Sequence, residues 1–285
     1  MLDRSWISRT ATGSLALMAV LMLSTGGGFA FDEAKYPNLK GQWDRIGPPR
    51  YDQANRDYEK AAPLTPEALA VYRDNLKDMA AGGQGTDPTY TCLSPGMPRS
   101  MNVYEPMEIV VTPNTTHILI DHIHDSRRIF TDGRPFPADA LPTLQGYSIG
   151  QWIDTDGDGK YDVLEVETRN FKGPRAYDAS GLRLSDDNNS IVKEKMYLDK
   201  ADPNILVNEL TVIDSNLTKP WSVVHKMKRI ATVEEKPVWR EVICAENNNH
   251  VEIGKENYFL SADGFLMPAR KDQPPPDLKY FKKTN

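Results

Sequence analysis

Four aspartates fall within nine residues, Asp154, Asp156, Asp158 and Asp162, in the stretch IDTDGDGKYDVLE. Counted from Asp154 they hold positions 1, 3, 5 and 9 of a twelve-residue loop. Gly159 holds the sixth position, the Lys160 carbonyl serves the seventh and Glu165 the twelfth. Calcium takes about six to eight oxygen ligands at such a spacing, with glycine where the loop bends sharply. Repulsion among so many carboxylates is relieved only by a cation or by full solvation. The flanks read as strands, so the ion expected is a structural calcium pinning a hairpin, not the trigger of a helix–loop–helix switch. A second cluster is IDHIHD, where alternation on a strand puts His122 and His124 on one face, with Asp121 and Asp125 on the other. A His-x-His pair can begin a transition-metal site, but a further ligand is needed, and His117, His225 and His250 are the remaining histidines. The competing reading is a polar, exposed strand end. A third group is SRRIFTDGR. Arg127 and Arg128 must point to opposite faces, and Asp132-Gly133 marks a turn before Arg134. Arg128 and Arg134 are the candidates to receive a ligand carboxylate bidentately at a barrel mouth, against the plainer reading of a loop salt bridge.

The elements that position these groups are mostly strands. Apolar or β-branched runs occur at 108–112, 116–122, 127–131, 147–153, 163–168, 191–198, 205–213, 221–230 and 238–244, with short turns between most of them. Such a series reads as an antiparallel sandwich or barrel, not as alternating βαβ units. Several runs alternate cleanly, as in IVKEKMYL over 191–198, so one sheet face is expected to be wet. Gly41-Gln42-Trp43 suits the opening strand of a lipocalin-like barrel. One helix is expected over 66–81: Thr65 is an N-cap, Pro66 fits the first turn, and Leu69, Tyr72, Leu76 and Met79 make one stripe. Ser94-Pro95-Gly96-Met97-Pro98-Arg99 reads as a turn.

Residues 1–30 read as a signal peptide, with Arg4 and Arg9, a short apolar core over 14–23 and a small-x-small site ending at Ala30. That core is too short to cross about 30 Å of hydrocarbon, so no membrane insertion is expected after cleavage, and the compartment is periplasmic or secreted. The mature chain reads as one β-rich domain over 31–272, followed by a loose, Pro-rich and then basic tail over 273–285. Cys92 and Cys244 are the only cysteines, and in an oxidising compartment an even pair reads as one disulfide. A reactive thiol or metal ligation is the alternative, though neither has a Cys-x-x-Cys partner. The formal charge is −6 and no Lys/Arg block stands out, which argues against nucleic acid.

The chain resembles an uncharacterised family of secreted bacterial proteins. The shared pieces are NLKGQW at 38–43, CLSPGMPR at 92–99, RRIFTDGR at 127–134, GYSIGQW at 146–152 and VICAEN at 242–247. The resemblance covers most of the mature chain in order; it implies an all-β body and both cysteines, and carries no activity. Family members typically have a short acidic turn where this chain has 154–162, so calcium would be a local addition.

The fold expected is thus all-β, a single antiparallel barrel or sandwich with one short packed helix. Trp43, Tyr147, Trp152, Tyr197, Trp221 and Trp239 suit either core packing or the walls of a cavity. No Gly-x-Ser-x-Gly, His-Glu-x-x-His, phosphate loop or dinucleotide fingerprint is present. The function expected is binding of a small apolar or carboxylated molecule in the barrel. The alternative is an enzyme acting on a small organic substrate there, either cofactor-free or with a metal on His122 and His124.

Overall fold

The computed structural model describes residues 31–47, 58–81, 85–103, 105–121, 125–230, 250–253, 256–260, 265–268 and 271–275. The body considered below begins at Ala34. Nine strands close into a barrel in sequence order: β1 (Gln42–Arg45), β2 (Met107–Val111), β3 (Thr115–Ile120), β4 (Asp125–Phe130), β5 (Tyr147–Ile153), β6 (Val163–Arg169), β7 (Ile191–Leu198), β8 (Ile205–Ile213) and β9 (Trp221–Arg229). The choice between barrel and sandwich is settled in favour of the barrel. The expected strand over 238–244 lies outside the described residues, as do the leader over 1–30 and the tail from 276 onward.

One departure from an all-antiparallel barrel follows from the strand count. A ring with an odd number of strands must contain at least one parallel neighbour pair. That pair is β4 and β5, joined through Ile129↔Ser148 and Phe130↔Ile149 alone. A parallel pair cannot be connected by a tight hairpin, and the chain over 131–146 makes the crossover. Gly150 helps the seam close: a Cβ there would stand 2.6 Å from Ile129 Cγ2. Closure between the ends is also narrow, with β1 paired to β9 at Trp43↔Arg229, Asp44↔Lys228 and Arg45↔Met227.

Inward residues alternate along every long strand, so Ile118 and Ile120, Leu164 and Val166, Val192 and Met196, and Leu206 and Leu210 line the interior. The interior is also filled by a segment outside the wall. Residues 95–103, which begin within the turn expected over 94–99, are buried throughout, and Met97 and Met101 belong to the same apolar core as the wall residues. The plug's backbone is satisfied over long range: Met97 N–H donates to Leu144 O at 3.0 Å, and Arg175 Nη1 donates to Met97 O at 3.3 Å. The outer face of β6 and β7 is charged, with Glu165, Glu167, Arg169, Lys193 and Lys195 directed outward.

The expected helix is α1 (Pro66–Ala80). Thr65 caps it, accepting the Ala68 N–H at 3.2 Å, and Tyr72 turns inward with Leu76 partly covered. Asn75, a polar residue on the same face, docks the helix: its Nδ2 donates to Ser180 O at 2.7 Å and its Oδ1 accepts the Thr86 N–H at 2.7 Å. A smaller antiparallel sheet of β10 (His250–Ile253), β11 (Glu256–Leu260) and β12 (Leu266–Pro268) is absent from the sequence reading. Its strands are only three to five residues long, too short for alternation to stand out.

Candidate functional site

The aspartate loop caps the β5–β6 hairpin beyond its last pair, Ile153↔Val163. Asp154 accepts the N–H groups of Gly157 and Gly159 at 2.7 and 2.9 Å, which the positive φ of both glycines makes possible. Asp162 accepts the N–H and hydroxyl of Thr155 at 2.9 and 2.7 Å. One carboxylate oxygen from each of Asp154, Asp156 and Asp162 lies within 4.8 Å of the others.

Two of the expected ligands do not join them. Asp158 is exposed, accepts the Lys160 N–H at 2.8 Å and is outside the converging group. Glu165 points off the outer wall and pairs with Lys195 Nζ at 2.8 Å. The reason is local: after Asp162 the chain runs as a strand, and three residues of strand carry Glu165 about 10 Å away. A helix in that place would have turned the twelfth position back to the ion.

The Thr155 hydroxyl and N–H hold the Asp162 carboxyl below the usual aspartate value of 3.8. A carboxylate depressed in the folded state contributes stability that is present above the unfolded pKa and lost as pH falls through the folded one. In calcium-free buffer the hairpin should therefore weaken only below about pH 4, and Asp162→Asn should remove that step. A carboxyl-carbon NMR titration of Asp162 with its midpoint at or above 3.8 would contradict this.

His122 and His124 lie outside the described residues. Of their neighbours, Asp121 is fully buried, while the Asp125 carboxylate accepts from Ser94 Oγ and Gln145 Nε2 and so ties the plug to the β4–β5 crossover. Cys92 is not a free thiol, while Cys244 lies outside the described residues.

The arginine expectation needs correction. Arg127, not Arg128, turns inward, because it shares strand parity with the buried Ile129; Arg128 is exposed. Arg127 spans four strands. Its Nε donates to Ser148 Oγ on β5 at 3.2 Å, and its Nη2 donates to Thr168 Oγ1 on β6 at 2.8 Å and Glu194 Oε2 on β7 at 2.5 Å. The other Glu194 oxygen accepts Asn208 Nδ2 on β8 at 2.9 Å. Asn208 sits beside His225 on β9, whose Nε2 is 2.9 Å from Tyr177 Oη. This polar row crosses a mostly apolar interior, with Arg127 Nη1 and Asn208 Oδ1 left without hydrogen-bond partners.

Arg134 is already engaged. Its Nε and Nη2 grip the Asp132 carboxylate at 2.5–3.0 Å, and the guanidinium stacks 4.0 Å over the Phe130 ring. This pairing holds the Asp132 carboxyl at about 2.

A cleft of about 880 Å³ lies on the outer wall over β5–β8. Its floor is two cross-strand rows: Gln151, Glu165, Lys195 and Glu209, and beside them Ile149, Glu167, Lys193 and Thr211. Arg134 stands at one side. Tyr36 and Tyr161 stand at the other, both packed against the inward-facing, buried Trp152, with Tyr36 edge-on to Trp152 at 5.4 Å and tilted against Tyr161 at 5.0 Å. The aspartate loop feeds directly into this aromatic end: Tyr161 N–H donates to Lys35 O at 2.7 Å, and Asp162 N–H to Ile153 O at 2.8 Å. Burial, with the Tyr161 hydroxyl close by, raises the Tyr36 pKa, so its hydroxyl remains a donor at neutral pH.

The sequence reading missed both the row and the cleft. Glu194, alone among Val192 and Met196 on the apolar parity of its strand, was the available signal for the first. Nothing local marks the second, because an outward polar residue on a strand is ordinary. A scan against protein-family models gives no match, and no curated protein matches the chain.

Proposed function

We propose that this is a small-molecule-binding barrel protein whose ligand lies in the outer-wall cleft over β5–β8, with a structural calcium in the adjoining hairpin. The observation that carries the reading is the cleft itself: a volume suited to a small ligand, with convergent polar groups and an aromatic end. The interior suits a ligand less well, since Met97 and Met101 of the plug already pack against the wall residues there. The leader read from the sequence supports a periplasmic or secreted location.

Native mass spectrometry of gently purified protein tests the cleft. The parent should retain an organic mass that Thr211→Trp, which fills the cleft from its floor, does not retain. No retained mass on the parent, or equal mass on both proteins, would overturn the assignment.

The calcium is supported by the loop spacing and by the convergence of Asp154, Asp156 and Asp162. At a hundredfold excess over its Kd, calcium binding only the folded state should add about 2.7 kcal/mol. Asp154→Ala should lose this gain. Identical melting of the parent in calcium and in chelator would remove the ion from the proposal.

A further inference from the structure

Resting on the cleft reading above, we infer that the ligand is a neutral glycan, bound across the strands as a run of about three sugar rings. The first argument is charge. Every cation at the cleft is matched by a carboxylate: Lys193 with Glu167 at 3.5 Å, Lys195 with Glu165 at 2.8 Å, and Arg134 with Asp132 at 2.5 Å. Glu209 accepts the Tyr197 hydroxyl at 2.8 Å. An anionic ligand would have to break one of these pairs to find a free cation. A cationic ligand would meet a lysine beside both Glu165 and Glu167. A neutral ligand rich in hydroxyls can share the paired groups, because each carboxylate and ammonium has hydrogen-bonding positions left over.

The second argument is spacing. From Gln151 on β5 to Glu209 on β8 is three inter-strand steps, about 14 Å, which matches about three pyranose rings. Along the strands the two floor rows are offset by two residues, about 7 Å, so a ring lying between them presents equatorial hydroxyls to both. An apolar molecule would leave these polar rows desolvated, at a cost that grows with every unpaired group.

The third is the aromatic end. Tyr36 and Tyr161 are partly exposed beside the floor, so each offers some apolar ring surface and a hydroxyl together. A sugar ring has the matching character, with apolar C–H faces and polar edges.

Affinity gel electrophoresis of the whole protein tests this, with soluble β-glucan, galactomannan, arabinoxylan and starch as neutral probes and alginate as the acidic one. At least one neutral polymer should retard the parent. The retardation constant should fall at least fivefold in Gln151→Ala and in Thr211→Val, with unchanged melting temperatures as the control for folding. Retardation by alginate alone, abolished by Thr211→Trp, would overturn the neutral-glycan inference and leave the cleft as the binding site. The same holds if no polymer retards the protein while native mass spectrometry finds an organic mass that Thr211→Trp loses. Retardation by a neutral polymer that survives Thr211→Trp would overturn both the inference and the cleft.

Discussion

Arg127→Met should lower the stability of the barrel by about 3–5 kcal/mol, the usual consequence of removing one partner of a buried ion pair. The Arg127 and Glu194 side chains are 1% and 0% exposed, and the substitution would strand the Glu194 carboxylate in the apolar interior. The loss falls on one of the two narrowest seams of the wall, the other being β1–β2. Between β4 and β5 only Ile129↔Ser148 and Phe130↔Ile149 are paired, and Arg127 crosses that seam to reach Ser148, Thr168 and Glu194. Urea denaturation measures the change. The double variant Arg127→Met, Glu194→Leu should recover most of it, because two apolar side chains of similar size leave no charge unpaired. Equal stability of the parent and the single variant would show that the seam does not depend on the pair.

Trp43→Ala should cost about 3–5 kcal/mol, the range for deleting a large buried aromatic. Trp43 is fully buried on a strand of four residues, and it is the main thing that holds β1 in place. Its indole N–H donates to Leu39 O at 3.0 Å, and the Arg229 guanidinium lies 4.2 Å over the ring. Trp43→Phe keeps much of the apolar volume and loses the hydrogen bond, so its cost should be nearer 1–2 kcal/mol, roughly the net worth of one such bond plus some packing. Hydrogen exchange gives the local signature: amides of β1 and β9 should lose protection ahead of those in β7 and β8. Uniform loss of protection would mean that Trp43 supports the whole core and not the closing strand.

The long strands were legible because alternation is a local signal. The runs at 147–153, 191–198 and 205–213 coincide with β5, β7 and β8, and the helix begins at its expected cap. What closes the barrel was less legible. β1 is short and carries one large apolar residue, and the parallel seam is a consequence of strand number that no segment displays. The plug was misread for a physical reason: Ser-Pro-Gly-Met-Pro-Arg has turn composition, and turns are usually solvated. Here distant groups on Leu144 and Arg175 supply the hydrogen bonds that water would otherwise provide. At the aspartate loop, residue spacing identified the carboxylates, but only the strand that follows decided that Glu165 would leave the group. Parity explains the arginines in the same way: one residue of register separates the interior from solvent.

The plug also sets an order of assembly. Residues 95–103 precede all but one of the strands that enclose them, and the wall is complete only when β9 returns to β1, as in Trp43↔Arg229. No early part of the chain can form the closed cylinder and admit its core afterwards. The segment works as a mandrel around which later strands are wound, and the decisive contacts join residues far apart in the chain. That topology places the barrel among slow folders, whose rate is governed by loop closure and not by local propensity.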